Sequence, residues 1–158
     1  MAYVILALRL ALGLLLVGAG IAKAHDGSAA TATAIAGYRI LPAPLIAPLG
    51  VALPYAEILL GGYLVAGLFT RLASLVAAVQ FALFAAAVAS LVIRQIPADC
   101  GCFGSSIPTP PSWAHVAADV VLALLALLVA RSAPGAFAVD TALGQGGTPG
   151  GRHEVRVS

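Results

Sequence analysis

Four stretches of this chain, about Tyr3 to Ala22, Leu45 to Phe69, Leu72 to Ile93 and Trp113 to Ala130, are apolar almost from end to end. Each is near the ~20 residues a helix needs to cross the ~30 Å hydrocarbon core of a bilayer. In that medium only helices and closed barrels satisfy every backbone donor and acceptor. The expected fold is therefore all-α, an integral membrane four-helix bundle. Composition agrees: of 158 residues, 9% are charged and 61% hydrophobic, and mean hydropathy is +1.05. A soluble domain carries about 25% charged residues, so these few cannot cover a water-facing surface. Net charge is only +2 and the cationic residues are scattered singly, which leaves no basic face for nucleic acid.

Between the first two spans, Ser28 to Leu41 has helical spacing, with Ala30, Ala34, Ile35, Tyr38 and Leu41 on one face. It reads as a short interfacial helix stopped by Pro42 and Pro44. The residues after Arg131 are Gly-rich and polar, so 132–158 is expected to be a disordered cytoplasmic tail following a membrane domain of residues 1–131. Ala22-Lys23-Ala24 has the form of a signal-cleavage site, but no cation precedes the apolar run, and the first span is expected to be retained. With the N-terminus inside, the inner side receives Arg71, Arg131, Arg152 and Arg156, with Arg9 near its edge; the outer side receives Lys23, Arg39 and Arg94. This five-to-three bias favours both termini in the cytoplasm. The chain is then a multi-pass protein of the cell (inner) membrane.

That orientation puts "IPADCGCFGSSIPTPP", Ile96 to Pro111, on the outer, oxidising side, where disulfides persist. It holds both cysteines, Cys100 and Cys102, with Gly101 between them. Cysteines at i and i+2 pair only if the chain bends, which glycine allows, and the resulting ring is strained. A strained, exposed disulfide is labile and suits exchange chemistry, and a bridge around one residue adds little stability. Asp99 disfavours the adjacent thiolate. Two other readings stand beside exchange: free thiols acting as small hydrophobes, and a metal site of Cys100, Cys102 and His115 or His25, with Cu(I) suited to soft thiolates.

Glu57 interrupts the second span, three residues after Pro54, which removes a backbone donor. An intramembrane carboxyl is a functional candidate, or alternatively a hydrogen-bonding contact between helices. Gly61, Gly62 and Gly67 on the same span would let helices approach closely. Lys23, His25 and Asp26 cluster at the outer end of the first span, and His115 and Asp119 share a face at the start of the fourth. They can form a polar lining that handles protons beneath the cysteine loop, or serve as interfacial anchors and ion pairs. Trp113 reads as an interfacial aromatic.

Taken together, "GAGIAKAHD", "YRILP", "LPYAEILLGGYLVAGLFTR" and "CGCFG" before the last span resemble the MauE/DoxX-like membrane proteins, over about Leu8 to Ala130. The resemblance implies four membrane helices associated with periplasmic redox work, a thioredoxin-like partner, and disulfide formation in methylamine dehydrogenase. By position, Cys100 and Cys102 match the family's cysteine motif, Glu57 its span carboxylate and Lys23 its lysine. Many relatives place a basic residue beside the acid matching Asp119, where this chain has Ala118, and the tail has no assigned counterpart.

The resulting expectation is a membrane thiol–disulfide oxidoreductase. Cys100 and Cys102 would be the catalytic pair, exchanging disulfides with an outer-side thioredoxin-like protein. Glu57, Lys23, His25, Asp26, His115 and Asp119 are candidates for proton handling. A quinone is the candidate electron carrier, by fold-level analogy with four-helix disulfide-forming membrane enzymes and without a recognisable quinone motif. The rival is a non-enzymatic accessory subunit that binds a partner or a metal through the same loop.

Overall fold

The structure is a computed structural model that describes residues 2–98, 101 and 110–132. They form five helices: α1 (Ala2–Asp26), α2 (Ser28–Gly37), α3 (Ala43–Ala66), α4 (Thr70–Arg94) and α5 (Trp113–Ser132). Four of these are long and apolar enough to cross a membrane, over Tyr3–Asp26, Ala43–Ala66, Thr70–Arg94 and Trp113–Ser132. The short helix anticipated between the first two is α2. The tail from residue 133 lies outside the described residues.

The element ends differ from the sequence expectation for local reasons. α1 continues past Ala22 because Lys23 has a buried partner, and it stops at Gly27, whose φ of 88° is open to glycine. α2 ends at Gly37, capped by Tyr38, short of Leu41. Pro42 and Pro44, expected to stop α2, lie beyond its end and do not stop it. They start α3, where a missing N–H is no loss, with Pro42 as N-cap and Pro44 in the first turn. α3 ends earlier than Phe69, at Gly67 in the left-handed conformation with φ 70°. There Gly67 N–H donates to Leu64 O and Leu68 N–H to Tyr63 O, a Schellman stop. Gly67 is thus a cap rather than a packing residue.

α1 packs most extensively on α3 and α4 on α5, and contacts between α1 and α5 and between α3 and α4 join the pairs. The core is built from Leu12, Leu16, Leu64, Ala77, Phe81 and Ala126. Leu14, Leu59, Leu83 and Leu124 stay exposed on the outside, as suits helices solvated by lipid chains. Glycines set the α1–α3 distance. A Cβ on Gly61 would lie 2.5 Å from Gly13 O, and one on Gly20 would lie 2.6 Å from Pro54 O. Gly62 faces open space, so only Gly61 of the three glycines singled out on this span permits close approach. Arg9, expected near the inner edge, is buried against its neighbouring helices, with 2% of its surface exposed.

Both long connections lie at one end of the bundle and touch each other. Arg94 Nη1 donates to Tyr38 O at 3.0 Å, and a Cβ on Gly37 would meet the Ala98 Cβ at 3.5 Å. The opposite end holds the tight link between α3 and α4.

Candidate functional site

At the end with the long connections, three helices bring polar side chains into the apolar interior. Lys23, in the last turn of α1, donates to Glu57 of α3, with Nζ 2.9 Å from Oε2 and 3.1 Å from Oε1. Gln80 of α4 donates to Glu57 Oε1 at 3.2 Å. The Lys23 and Glu57 side chains are 4% and 0% exposed. Gly20 places this pair. One turn before Lys23, it lets α1 lie against Pro54 and Glu57, where an added Cβ would be 3.0 Å from the Glu57 Cβ. The Lys23 ammonium also sits 5.9 Å from the centre of the Phe84 ring. A buried ion pair costs desolvation that its attraction must offset, which makes this pair a candidate functional site, with a structural contact between helices as the alternative.

Two cavities flank the pair. The larger, about 630 Å³, lies among α2, α3 and α4 and is lined by Lys23, Ala34, Tyr38, Leu53, Phe84 and Gly101 among others. Every residue of the face expected from spacing over Ser28 to Leu41, namely Ala30, Ala34 and Ile35 of α2 with Tyr38 and Leu41 beyond its end, belongs to its wall. The smaller, about 180 Å³, lies among α1, α4 and α5 and is lined by Leu16, Glu57, Phe84, His115, Asp119 and Leu122 among others. Lys23 faces the first cavity and Glu57 the second, so the ion pair stands between them. Tyr38 lies outside the spans. Burial, and secondly the charge of Asp119, push its hydroxyl up to about 12, so it stays protonated at neutral pH.

The structure thus brings Lys23, Glu57, His115 and Asp119 to one region. Asp119 is 8% exposed, and its Oδ2 is buried without a hydrogen-bond partner among the described residues. His115 Nδ1 and Ser112 Oγ share a hydrogen bond of 2.8 Å. His25 stands apart, its side chain 88% exposed and 3.9 Å from the Asp26 carboxylate, while the Asp26 side chain is mostly covered. Trp113 is exposed at the first residue of α5. Cys100 and Cys102, with Asp99, Phe103 and Pro108, lie outside the described residues. Gly101, between the two thiols, has φ 66°. A Cβ there would come 3.2 Å from the Ala34 Cβ of α2.

Sequence reasoning reads Gln80 only as an interruption of the third span. It shares a helix face with the buried Ala77 and the half-buried Phe84, and that register is a signal that the amide points inward. Tyr38 falls on a helix face by spacing, but its place in a cavity wall depends on α4 folding over it.

No solved structure matches this chain. The chain is 34% identical over 146 residues to the methylamine utilization protein MauE of Paracoccus denitrificans, covering 92% of this chain and 77% of that protein. The profile of the family described as methylamine utilisation protein MauE matches residues 1–132. Since that match runs across all four membrane-length helices and the polar cluster between them, the chain belongs to the MauE family.

Proposed function

We propose that this protein is a membrane thiol–disulfide redox protein in methylamine utilisation, exchanging disulfides through Cys100 and Cys102 with an outer-side thioredoxin-like partner. The observation that carries the reading is the position of Gly101. The one described residue of the C-G-C motif is seated on α2 at the wall of the larger cavity, which the buried Lys23 also lines. The relative in Paracoccus denitrificans carries methylamine utilization in its name, and family resemblance supports a client such as methylamine dehydrogenase.

In the exchange, a thiolate of the reduced partner attacks one sulfur of the Cys100–Cys102 disulfide. One S–S bond breaks and a mixed disulfide forms. The partner's second thiolate then displaces the remaining sulfur, which leaves the partner oxidised and Cys100 and Cys102 as a dithiol. To act again, the dithiol must give up two electrons and two protons to a carrier. Glu57, its carboxylate held by Lys23 and Gln80, lines the smaller cavity with Asp119 and His115, which supports a role for it in passing a proton along that wall.

The test is a non-reducing gel of membranes from Cys100→Ser and Cys102→Ser cells. Loss of the resolving thiol lets a mixed disulfide accumulate, so one variant is expected to give a higher-mass band that reductant removes, and both are expected to lose function. If both variants keep function and neither gives such a band, the thiol-exchange reading is wrong.

A further inference from the structure

The polar groups on the wall of the larger cavity are already engaged. Thr31 Oγ1 donates to Gly27 O at 3.4 Å and Ser90 Oγ to Ala87 O at 2.9 Å, each bonding back along its own helix. Lys23 is held by Glu57 at 2.9 Å, and Tyr38 is not free. Apart from Gly101, the rest of the wall is aliphatic or aromatic. Burying a polar group without a partner is costly, so what fits this slot between α2 and α4 is hydrocarbon. The rim shows where hydrocarbon can enter. Leu41, Leu49 and Leu83 belong to the wall yet are 40%, 36% and 64% exposed, so the slot opens sideways onto the face of the bundle that lipid chains solvate.

The slot also has a charged end. On α4 its wall runs from Leu83 to Ser90, and Arg94 follows one turn later. Arg94 Nη1 donates to Tyr38 O at 3.0 Å, which brings this guanidinium to the backbone beside Arg39. Both arginines are exposed, and neither has a carboxylate partner among the described residues. At 1.5 Å per residue, Leu83 to Arg94 spans about 16 Å, close to the ~15 Å of hydrocarbon in one leaflet.

We propose that this slot binds an anionic phospholipid of the bilayer, with one acyl chain between α2 and α4 and the phosphate at Arg39 and Arg94. Arginine suits that end, because its planar fork of donors pairs with phosphate oxygens. The seated chain fills the gap between the two helices and lies along Gly101, which forms part of the same wall. The site does not depend on the thiol-exchange reading.

The experiment uses the full chain in nanodiscs, with phosphatidylglycerol carrying a diazirine within one acyl chain and a matched phosphatidylcholine probe. Phosphatidylglycerol labelling is expected on peptides of α2 and α4, saturable and stronger than phosphatidylcholine labelling. The double variant Arg39→Gln with Arg94→Gln is expected to weaken it about thirtyfold, the weight of two basic side chains at an anionic surface. Ala87→Phe, which fills the slot from α4, is expected to weaken labelling by either probe about tenfold, as small changes of fit do in an apolar pocket. Leu72→Phe, on an exposed face of α4, should leave both unchanged. Equal labelling by the two probes, labelling spread evenly over the exposed faces of all four spans, or undiminished labelling of Ala87→Phe would overturn the site. Should Ala87→Phe fail to fold, the arginine variant decides alone, since it alters only exposed side chains: an unchanged preference for phosphatidylglycerol there refutes the proposal.

Discussion

Glu57 accepts from two side chains on two other helices, and the three groups respond differently to removal. Lys23→Met strands a carboxylate in the interior, a change that costs about 3–5 kcal/mol when a buried pair is broken. Lys23→Met combined with Glu57→Leu removes both charges and is expected to recover most of that loss, as apolar replacements of buried pairs do. Thermal unfolding in detergent separates the two cases. Glu57→Gln keeps the volume and can still pair with Gln80, but an amide relays no proton. It is expected to fold and to lose redox turnover, whereas unchanged turnover would leave Glu57 as a helix-to-helix contact only. Tyr38 gives a pH prediction. Its folded value of about 12 exceeds the ordinary 10, so the folded chain holds a proton that the unfolded chain releases as pH rises past 10. Stability is therefore undiminished below pH 10 and falls between 10 and about 12. An ultraviolet titration should show a late phenolate step that Tyr38→Phe lacks, and a step at the ordinary value would contradict the burial.

At the scale of elements, glycine position decides which helices meet. Gly20→Ala and Gly61→Ala each push a Cβ against backbone of the facing helix. Overpacking of this kind costs about 1–3 kcal/mol, and displacement of α1 would also stretch the Lys23–Glu57 contact. Gly62→Ala meets nothing within 4 Å and should be neutral or stabilising by up to about 1 kcal/mol, since alanine is the better helix former. Equal losses in unfolding temperature for all three would show that helix approach is not what these glycines serve. The contrast also marks how far the sequence was legible. Apolar length identifies spans, because a bilayer fixes how long an apolar run must be, and spacing alone found the α2 face that lines the larger cavity. Spacing could not choose among Gly61, Gly62 and Gly67, because an apolar span solvated by lipid lacks the polar outer face that orients a soluble helix. For the same reason the apolar pattern around Gln80 does not name its partner. Its contact with Glu57 depends on the crossing of α3 and α4, which no local pattern encodes.

For the whole molecule, the remaining question is which way the bundle faces, and burial changes the charge arithmetic. Arg9 and Lys23 are buried between helices, so neither presents its charge on the outer surface of the bundle. The exposed cations of the described residues are Arg71 and Arg131 at one end and Arg39 and Arg94 at the other. Only the tail arginines, Arg152 and Arg156, add to one side, and they lie at or beyond the ~20 residues over which loop cations count. The expected orientation still has both termini in the cytoplasm, with the end that carries α2 and Gly101 outside, but it is held by a narrow margin. Single arginines should therefore matter. Arg71→Ala removes half of the exposed inner charge and should produce a mixed population, while Arg94→Ala should leave one orientation. The chain's only two thiols, Cys100 and Cys102, report directly: after mild reduction of intact cells, a membrane-impermeant maleimide should label the native chain fully and Arg71→Ala partially. Native chains that label only after permeabilisation would invert the bundle. The thiols would then face the reducing side, where a disulfide-forming role could not be sustained.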